Sequence, residues 1–372
     1  MKCSARVKRA RLAFTALTAV SVLVPATTAS ADGGHQDRGR YDVKNLVSDV
    51  PGRAQLTDAN LANAWGLAAG PSSPIWVANN HTDTSTLYRG ATAGQPVSAV
   101  PLVVHITGGA PTGVVFNAGP GFVVSSGPAS GSSLFIFASE GGDLTGWNPN
   151  VPPPAPSTVA QPAVHVDGAV YKGLAIATTR HGTRLLAANF AAGTVDVFDD
   201  AFTLLHGGGF TDRRLPAGYA PFNVVVLGDL VYVTYAQQDP NSPDDVKGAG
   251  HGFIDVYDTD GRLQRRLVSR GRLDSPWGVA LAPHDFGEFA DMLLVGNFGD
   301  GRINVYDPRT GRREGTLRGR DERPITIDGL WALRFGNPTI GGSGTLLFSA
   351  GPDGEEHGLF GTITPRRHDD ND

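Results

Sequence analysis

The chain has 372 residues, with 31 basic and 36 acidic side chains and a formal net charge of −5. Five of the basic side chains and none of the acidic ones lie in residues 1–31, so the rest of the chain has a formal charge of −10. This acidity disfavours a nucleic acid or an anionic membrane as a partner. Because Cys3 is the one cysteine, we expect no disulfide after residue 31.

Residues 1–31 have the pattern of a secretory signal peptide. A basic start precedes the apolar run 12–24, and Ala29-Ser30-Ala31 is a small-residue cleavage site. The run is too short to span a bilayer. We therefore expect a secreted, extracellular protein, with a disordered N-terminus over 32–40. The polar tail 366–372 is also expected to be disordered and carries no sorting or membrane-anchoring motif.

An apolar phrase with a small or polar second residue returns six times after this N-terminal region. These second residues are 47 to 60 positions apart, and the intervening sequence has strand patterns and frequent turns. Strands with a period near 50 residues are typical of propellers. We predict an all-β, six-bladed propeller of four-stranded antiparallel blades over 41–365. The phrases begin at Trp65, Thr112, Lys172, Phe222, Trp277 and Trp331.

Two details of this repeat make finer predictions. Glycine in the second position, as in Gly66 and Gly278, lets neighbouring inner strands converge on a narrow axis. The last repeat lacks a fourth strand, whereas residues 41–47 form a strand pattern that belongs to no repeat. We predict that residues 41–47 supply the missing strand and close the ring, which removes an exposed sheet edge.

Several phrases of the chain resemble a family of uncharacterised secreted bacterial proteins with NHL-like six-bladed propellers. Some members of that family carry a C-terminal PEP-type sorting signal, which this sequence lacks. The resemblance covers nearly all of residues 41–365 and implies the fold, but it implies no activity. The phrases that carry it are 64–68, 170–174, 188–198, 215–223, 275–278, 296–303 and 350–354.

Strand direction places polar residues from distant repeats at one mouth of the channel. In a four-stranded meander, the link into the first strand and the turn after the second lie at the same end. Residues before or at the start of an inner strand include Asp58, Asp167, Lys172, Asn223, Asp274 and Asp328. Residues that close a second strand include Asn79, Asn80, His81, Ser125, Ser126, Asn189, Asn297 and Asp353.

This mouth supplies the candidate functional residues. Oxygen ligands suit Ca²⁺ or another hard cation, and the candidate metal ligands are Asn189, Asn297, Asp328 and Asp353. The candidate ligand-binding residues are Trp65, Asn79, Asn80, Asn223, Trp277 and Trp331. The candidate proton-transfer residues are Lys172 and His357.

Each candidate also has a structural interpretation. Asp and Asn form turns by hydrogen bonding to nearby backbone, and the tryptophans are either wedges between blades or an aromatic floor under a ligand. Lys172 either contacts a ligand or forms an ion pair with Asp167 or Asp328, and His357 is either catalytic or in a solvated loop. The polar loop 237–252, with Asp244 and Asp245, is a further place for function.

Three functions fit these residues. The first is a monomeric binding module whose ligand is a small molecule, an extracellular glycan or a peptide. The alternative is a Ca²⁺-dependent hydrolase or lyase of the lactonase type that uses the same mouth. An extracellular scaffold is the third. The fold hosts binding proteins and enzymes alike, so the sequence leaves open whether the protein is an enzyme.

Overall fold

The computed structural model describes residues 40–207 and 209–366, which lie in a compact unit spanning 37–372. The predicted signal peptide, residues 32–39 and residues 367–372 lie outside the described residues. Apart from the 3₁₀ helices Asn80–Thr82 and Gly287–Phe289, the regular structure of the described part is β-strand. No helix there is long and apolar enough to cross a membrane.

The strands follow the predicted repeats. Before the first repeat come β1 (Tyr41–Ser48) and β2 (Leu56–Thr57). The first repeat contains β3 (Ala64–Ala68), β4 (Ile75–Asn79), β5 (Thr84–Arg89) and β6 (Ser98–Ile106). The second contains β7 (Pro111–Phe116), β8 (Val123–Ser126), β9 (Ala129–Ser132), β10 (Phe135–Ser139), β11 (Asp143–Trp147) and β12 (Val159–His165).

The later repeats are more regular. The third contains β13 (Tyr171–Thr179), β14 (Gly182–Asn189), β15 (Thr194–Phe198) and β16 (Leu204–Leu205). The fourth contains β17 (Tyr219–Leu227), β18 (Leu230–Gln237), β19 (Gly252–Asp258) and β20 (Leu263–Ser269). The fifth contains β21 (Pro276–Leu281), β22 (Leu293–Asn297), β23 (Ile303–Tyr306) and β24 (Arg313–Thr316). The last contains β25 (Leu330–Phe335), β26 (Leu346–Ala350) and β27 (Leu359–Pro365).

These strands form an all-β propeller of antiparallel sheets. Strands β13 to β16, β17 to β20 and β21 to β24 each form a four-stranded sheet in chain order. The first two repeats share one eight-stranded sheet, of order β3-β4-β5-β6-β12-β11-β10-β7. They are joined because β6 and β12 pair in parallel over two residues of each strand. The sequence did not predict this link.

The strand before the first repeat pairs with the last repeat, as the sequence predicts. Strand β1 lies antiparallel to β27, from Tyr41 opposite Pro365 to Ser48 opposite Leu359. The resulting sheet has the order β2-β1-β27-β26-β25. Side chains of β1 complete the core there, because Leu46 is 2% exposed and packs in the same apolar cluster as Phe360.

Glycines at the start of the inner strands permit the close approach that the sequence predicts. An added Cβ on Gly113 would lie 2.5 Å from the backbone nitrogen of Leu174 in β13. One on Gly278 would lie 2.6 Å from the carbonyl oxygen of Trp331 in β25. Carbon atoms cannot approach backbone atoms this closely, so a larger residue would push the inner strands apart.

In the second repeat the expected strand order is wrong. The sequence places Ser125 and Ser126 at the end of the second strand, but they belong to the separate hairpin β8–β9. Strand β10 pairs with β7 instead, with Phe135 opposite Phe116. The residue that follows this second strand is Glu140, which therefore takes the position predicted for the two serines.

The contribution of β1 can be measured with two substitutions on the same strand. Leu46→Ala is expected to lower the free energy of unfolding by about 2–5 kcal/mol, because it leaves a cavity in the core. Val43→Ala is the matched control: Val43 is 39% exposed, so a change within about 0.5 kcal/mol is expected. Urea denaturation measures both values. Equal effects would show that β1 does not complete the core.

Candidate functional site

Polar side chains from five repeats converge where the inner strands begin. Asn63 precedes β3, Asn80 follows β4 and Lys172 lies at the start of β13. The carboxylates come from the segments after second strands, as the strand directions predict. We call this set the polar mouth, and its members are Asn63, Asn80, Glu140, Lys172, Asp244 and Glu355.

Lys172 is the central cation of the polar mouth. Its side chain is 4% exposed, and its Nζ lies 2.5 Å from Glu140 Oε1 and 3.4 Å from Asp244 Oδ1. Burial by itself would lower the pKa of Lys172, but Glu140, Asp244 and Glu355 outweigh it and raise the pKa. Lys172 therefore forms an ion pair, as one interpretation of the sequence expected, but its partners are Glu140 and Asp244 and not Asp167 or Asp328. Asp167 contacts His165 instead.

Two asparagines connect the carboxylates to the core. Asn80 donates from Nδ2 to Glu140 Oε2 at 3.0 Å, and Asn63 donates to Glu355 Oε2 at 2.9 Å. Asn63 Nδ2 also lies 3.3 Å from Asn80 Oδ1. The Oδ1 of Asn63 accepts a hydrogen bond from Trp331 Nε1. The two carboxylates are thus held in place by amides that are themselves fixed in the core.

An aromatic cluster closes the channel beneath the polar mouth. The rings of Trp65 and Trp331 stack with centroids 3.6 Å apart, and Phe298 stacks on Trp331 at 3.9 Å. Trp277 meets Trp331 edge-on and donates from Nε1 to the carbonyl oxygen of Lys172. All three tryptophans are buried. Lys172 Nζ lies 5.4 Å from the centroid of Trp65, within the range of a cation–π interaction.

The loop between β18 and β19 brings further charges to this end of the channel. Asp239 N donates to the carbonyl oxygen of Asp244, which forms a turn within the loop. Burial raises the pKa of the neighbouring Asp245 above its ordinary value. Lys247 Nζ lies 3.9 Å from the centroid of Phe298. The loop therefore contributes both carboxylates and a cation beside the aromatic cluster.

The other predicted asparagines are bonded within the sheets. Asn79 donates to Thr84 and Thr86, and Asn223 donates to the carbonyl oxygen of Trp277. Asn189 donates to Asp196 Oδ2, and Asn297 donates to Asp300 Oδ1. These bonds match the turn and strand roles that the sequence offered as the structural interpretation.

The remaining predicted residues, Asp328, Asp353 and His357, have hydrogen-bond partners other than Asn189 and Asn297. Asp328 Oδ2 accepts a hydrogen bond from the backbone nitrogen of Asp353, which also pairs with Arg53. His357 Nδ1 lies 2.8 Å from Asp49 Oδ2. Within the described residues, no three His, Cys, Asp or Glu side chains are grouped so as to hold a metal ion. Calcium binding by the four predicted ligands stays a prediction.

Sequence reasoning missed three members of the polar mouth as site residues. Glu140 was missed because the sequence predicts that the strand ending at Ser126 is the second strand of its repeat. Glu140 directly follows the apolar strand β10, which is the actual second strand. Asn63 and Glu355 lie in turns with positive φ, where a polar residue has an ordinary structural explanation. The rule that placed Asn80 and Lys172 at the mouth also finds Glu140 once the second strand of its repeat is assigned to β10.

Two proteins of Acanthamoeba polyphaga mimivirus are similar to the chain over most of its length. The uncharacterised protein R648 is 35% identical over 330 residues, which cover 87% of this chain and 80% of the viral protein. The uncharacterised protein L690 is 34% identical over 335 residues, which cover 87% and 85%. The chain belongs to the family of these proteins. Because they are viral, the bacterial origin implied by the sequence resemblance is not supported.

A solved structure supports the fold. The soluble aldose sugar dehydrogenase of Escherichia coli, in its apo form, aligns with a TM-score of 0.52 and 12% identity. The alignment covers 88% of this chain and all of that protein. At this identity the similarity shows a shared propeller fold alone. No protein-family model matches the chain.

Removing the central cation tests whether the polar mouth is one coupled unit. Lys172→Met is expected to destabilise the protein by about 3–5 kcal/mol, because Glu140 stays partly buried without its cation. Glu140→Gln added to Lys172→Met should recover part of this loss. Urea denaturation of the single and double variants gives the coupling free energy. Strictly additive effects would mean that the two side chains do not interact.

The protonation of Glu355 predicts a pH dependence of stability. Burial raises the pKa of Glu355 above its ordinary 4.5, so at pH values just above 4.5 the folded protein retains a proton that the unfolded chain has released. This carboxyl group therefore contributes less to the free energy of unfolding as the pH rises above about 4.5 and through the raised pKa of the folded state. Glu355→Gln removes that contribution. We expect the difference between wild type and variant, measured in urea, to change across this range, and a constant difference would contradict it.

Proposed function

We propose that this chain is a secreted NHL-like propeller of six four-stranded blades that serves as a binding module. Six strands line one cavity, which supports six blades, and pairing of β1 with β27 supports a ring in which the first strand completes the last blade. The ligand binds at the polar mouth and carries a positive charge. It is a small molecule or a peptide, from the classes that the sequence suggests.

The excess of carboxylates around Lys172 carries this proposal. Four carboxylates lie near Lys172 and Lys247, and the formal charge of these six groups is −2. Asp244 is 64% exposed and Glu140 is 28% exposed, so both remain accessible to a ligand. The carboxylates are those of Glu140, Asp244, Asp245 and Glu355, and the ammonium groups are those of Lys172 and Lys247.

Rigid support makes this surface suitable for recognition. Asn63 and Asn80 orient two of the carboxylates. The stacked indoles of Trp65 and Trp331 form a packed layer beneath them. A surface that is ordered before binding loses little conformational entropy when the ligand arrives. Carboxylates around a buried lysine also attract a cation while disfavouring an anion.

Titration with a cationic peptide tests the proposal. Tetralysine is expected to bind at low salt and to change the tryptophan fluorescence, since the indoles lie beneath the polar mouth, whereas tetraglutamate should not bind. Asp244→Asn should weaken tetralysine binding by about 1 kcal/mol, or roughly fivefold. Asp229→Asn is the matched control, because it removes the same charge from an exposed turn after β17.

Two outcomes would contradict a cation-binding mouth. One is binding of tetraglutamate as tight as that of tetralysine. The other is an equal effect of Asp244→Asn and Asp229→Asn, which would show that attraction depends on total charge alone.

Secretion rests on the pattern of residues 1–31 and has its own test. Expression of the full chain in a bacterial host with a general secretory pathway should release a protein that begins at Asp32. Mass spectrometry of the N-terminal peptide from the medium identifies the cleavage position. Recovery of the uncleaved chain inside the cells alone would contradict a signal peptide.

A further inference from the structure

A cavity of about 500 Å³ runs along the inner strands. It lies on the other side of the aromatic cluster from the polar mouth, since its walls continue to the last residues of these strands. The wall strands are β3, β7, β13, β17, β21 and β25. Its volume is in the range of roughly 300–1,000 Å³ that small-molecule sites occupy.

The side chains that line this cavity are mostly apolar. Apart from the indole of Trp277, whose Nε1 is bonded to a backbone carbonyl, the lining has two polar side chains, Asn223 and Arg334. Asn223 uses both ends of its amide within the sheets, donating to Trp277 O and accepting from Val224 N. Arg334 is therefore the one charged group that the lining presents.

Arg334 lacks a carboxylate partner among the described residues. Its Nη2 donates to the carbonyl oxygen of Ala69 at 2.9 Å, which is its one hydrogen bond there. Burial lowers the pKa of Arg334, and no acidic neighbour opposes this effect. A guanidinium group still keeps its charge in a protein. A partly buried charge without a counterion is costly, and an anion in the cavity would relieve that cost.

The rim of the cavity is apolar although it faces solvent. Leu281, at the end of β21, is 45% exposed. Phe116, Ile176, Leu227 and Phe335 lie at or near the ends of other inner strands and are partly exposed. Apolar residues gathered around a concave opening mark a surface that a ligand covers.

We propose that this cavity is a second ligand site, which binds a small monocarboxylic acid with an apolar body. The carboxylate pairs with Arg334, which can donate two parallel hydrogen bonds to it. The apolar body lies along the inner strands and removes the rim residues from water. This site goes beyond the polar mouth, which is acidic and takes a ligand of opposite charge.

Calorimetric titration with decanoate tests the site, with decanol as the neutral ligand of the same chain length. Both probes are used below the concentrations at which they aggregate. Wild-type protein should bind one decanoate, and bind it more tightly than decanol. Arg334→Met should weaken decanoate binding by at least about tenfold, or 1.4 kcal/mol, and leave decanol binding unchanged. Arg334→Lys should retain part of the preference, and Arg213→Met, at an exposed position, should retain all of it.

A test substitution and a matched control examine the apolar rim. Leu281→Gln should weaken the binding of decanoate and of decanol alike, because it removes apolar contact and leaves the charge of Arg334 unchanged. Leu263→Gln changes a leucine that is 39% exposed on the outer strand β20 and should alter neither affinity.

Three results would overturn the proposal. They are no binding of decanoate, decanoate binding no tighter than decanol binding, and unchanged decanoate affinity in Arg334→Met. If Arg334→Met does not fold, the comparison of decanoate with decanol on the wild-type protein decides. Tetralysine binding measured on folded Arg334 variants should stay at the wild-type value, so failure at the cavity and failure at the polar mouth are distinguishable.

Discussion

The close approach of the inner strands is the constraint on which the rest of the structure depends. Gly66, Gly113, Gly173 and Gly278 each lie against backbone or side-chain atoms of the next inner strand, with no room for a Cβ. Where the repeat has Asn223 instead, its amide donates to the carbonyl oxygen of Trp277 in the next strand. Since neighbouring inner strands from β3 to β25 are held close in this way, the turns at their two ends are brought close to the channel.

Strand direction then gives the two ends of the channel different chemistry. The inner strands begin among asparagines, carboxylates and Lys172, and they end among leucine, isoleucine and phenylalanine side chains. The stacked indoles of Trp65 and Trp331 separate the two ends. Among the residues that line the cavity, Arg334 supplies the single charge, whereas the acidic groups of the polar mouth lie on the other side of the indoles. The two ends therefore present charges of opposite sign.

The sequence was sufficient for the repeat, the strands and the pairing of β1 with β27, because period, alternation and turn residues are local signals. It was also sufficient to place Asn80 and Lys172 at one mouth, since strand direction follows from chain order. The sequence did not identify Glu140 as a site residue, because the inserted hairpin β8–β9 has the same apolar pattern as a blade strand. The partner of Lys172 and the parallel link of β6 to β12 depend on distances between repeats, which no local pattern encodes.

Pairing of the first strand with the last has a consequence for biosynthesis. Ser48 and its partner Leu359 are about 310 residues apart, so the antiparallel partner of β1 is absent until nearly the whole chain has been made. At roughly 5–20 residues per second, that interval is about 15–60 s. During it, one edge of β1 has no antiparallel partner and can pair with other chains. The order of synthesis thus leaves this edge of the first strand exposed longest, and β27, the last strand to be made, covers it.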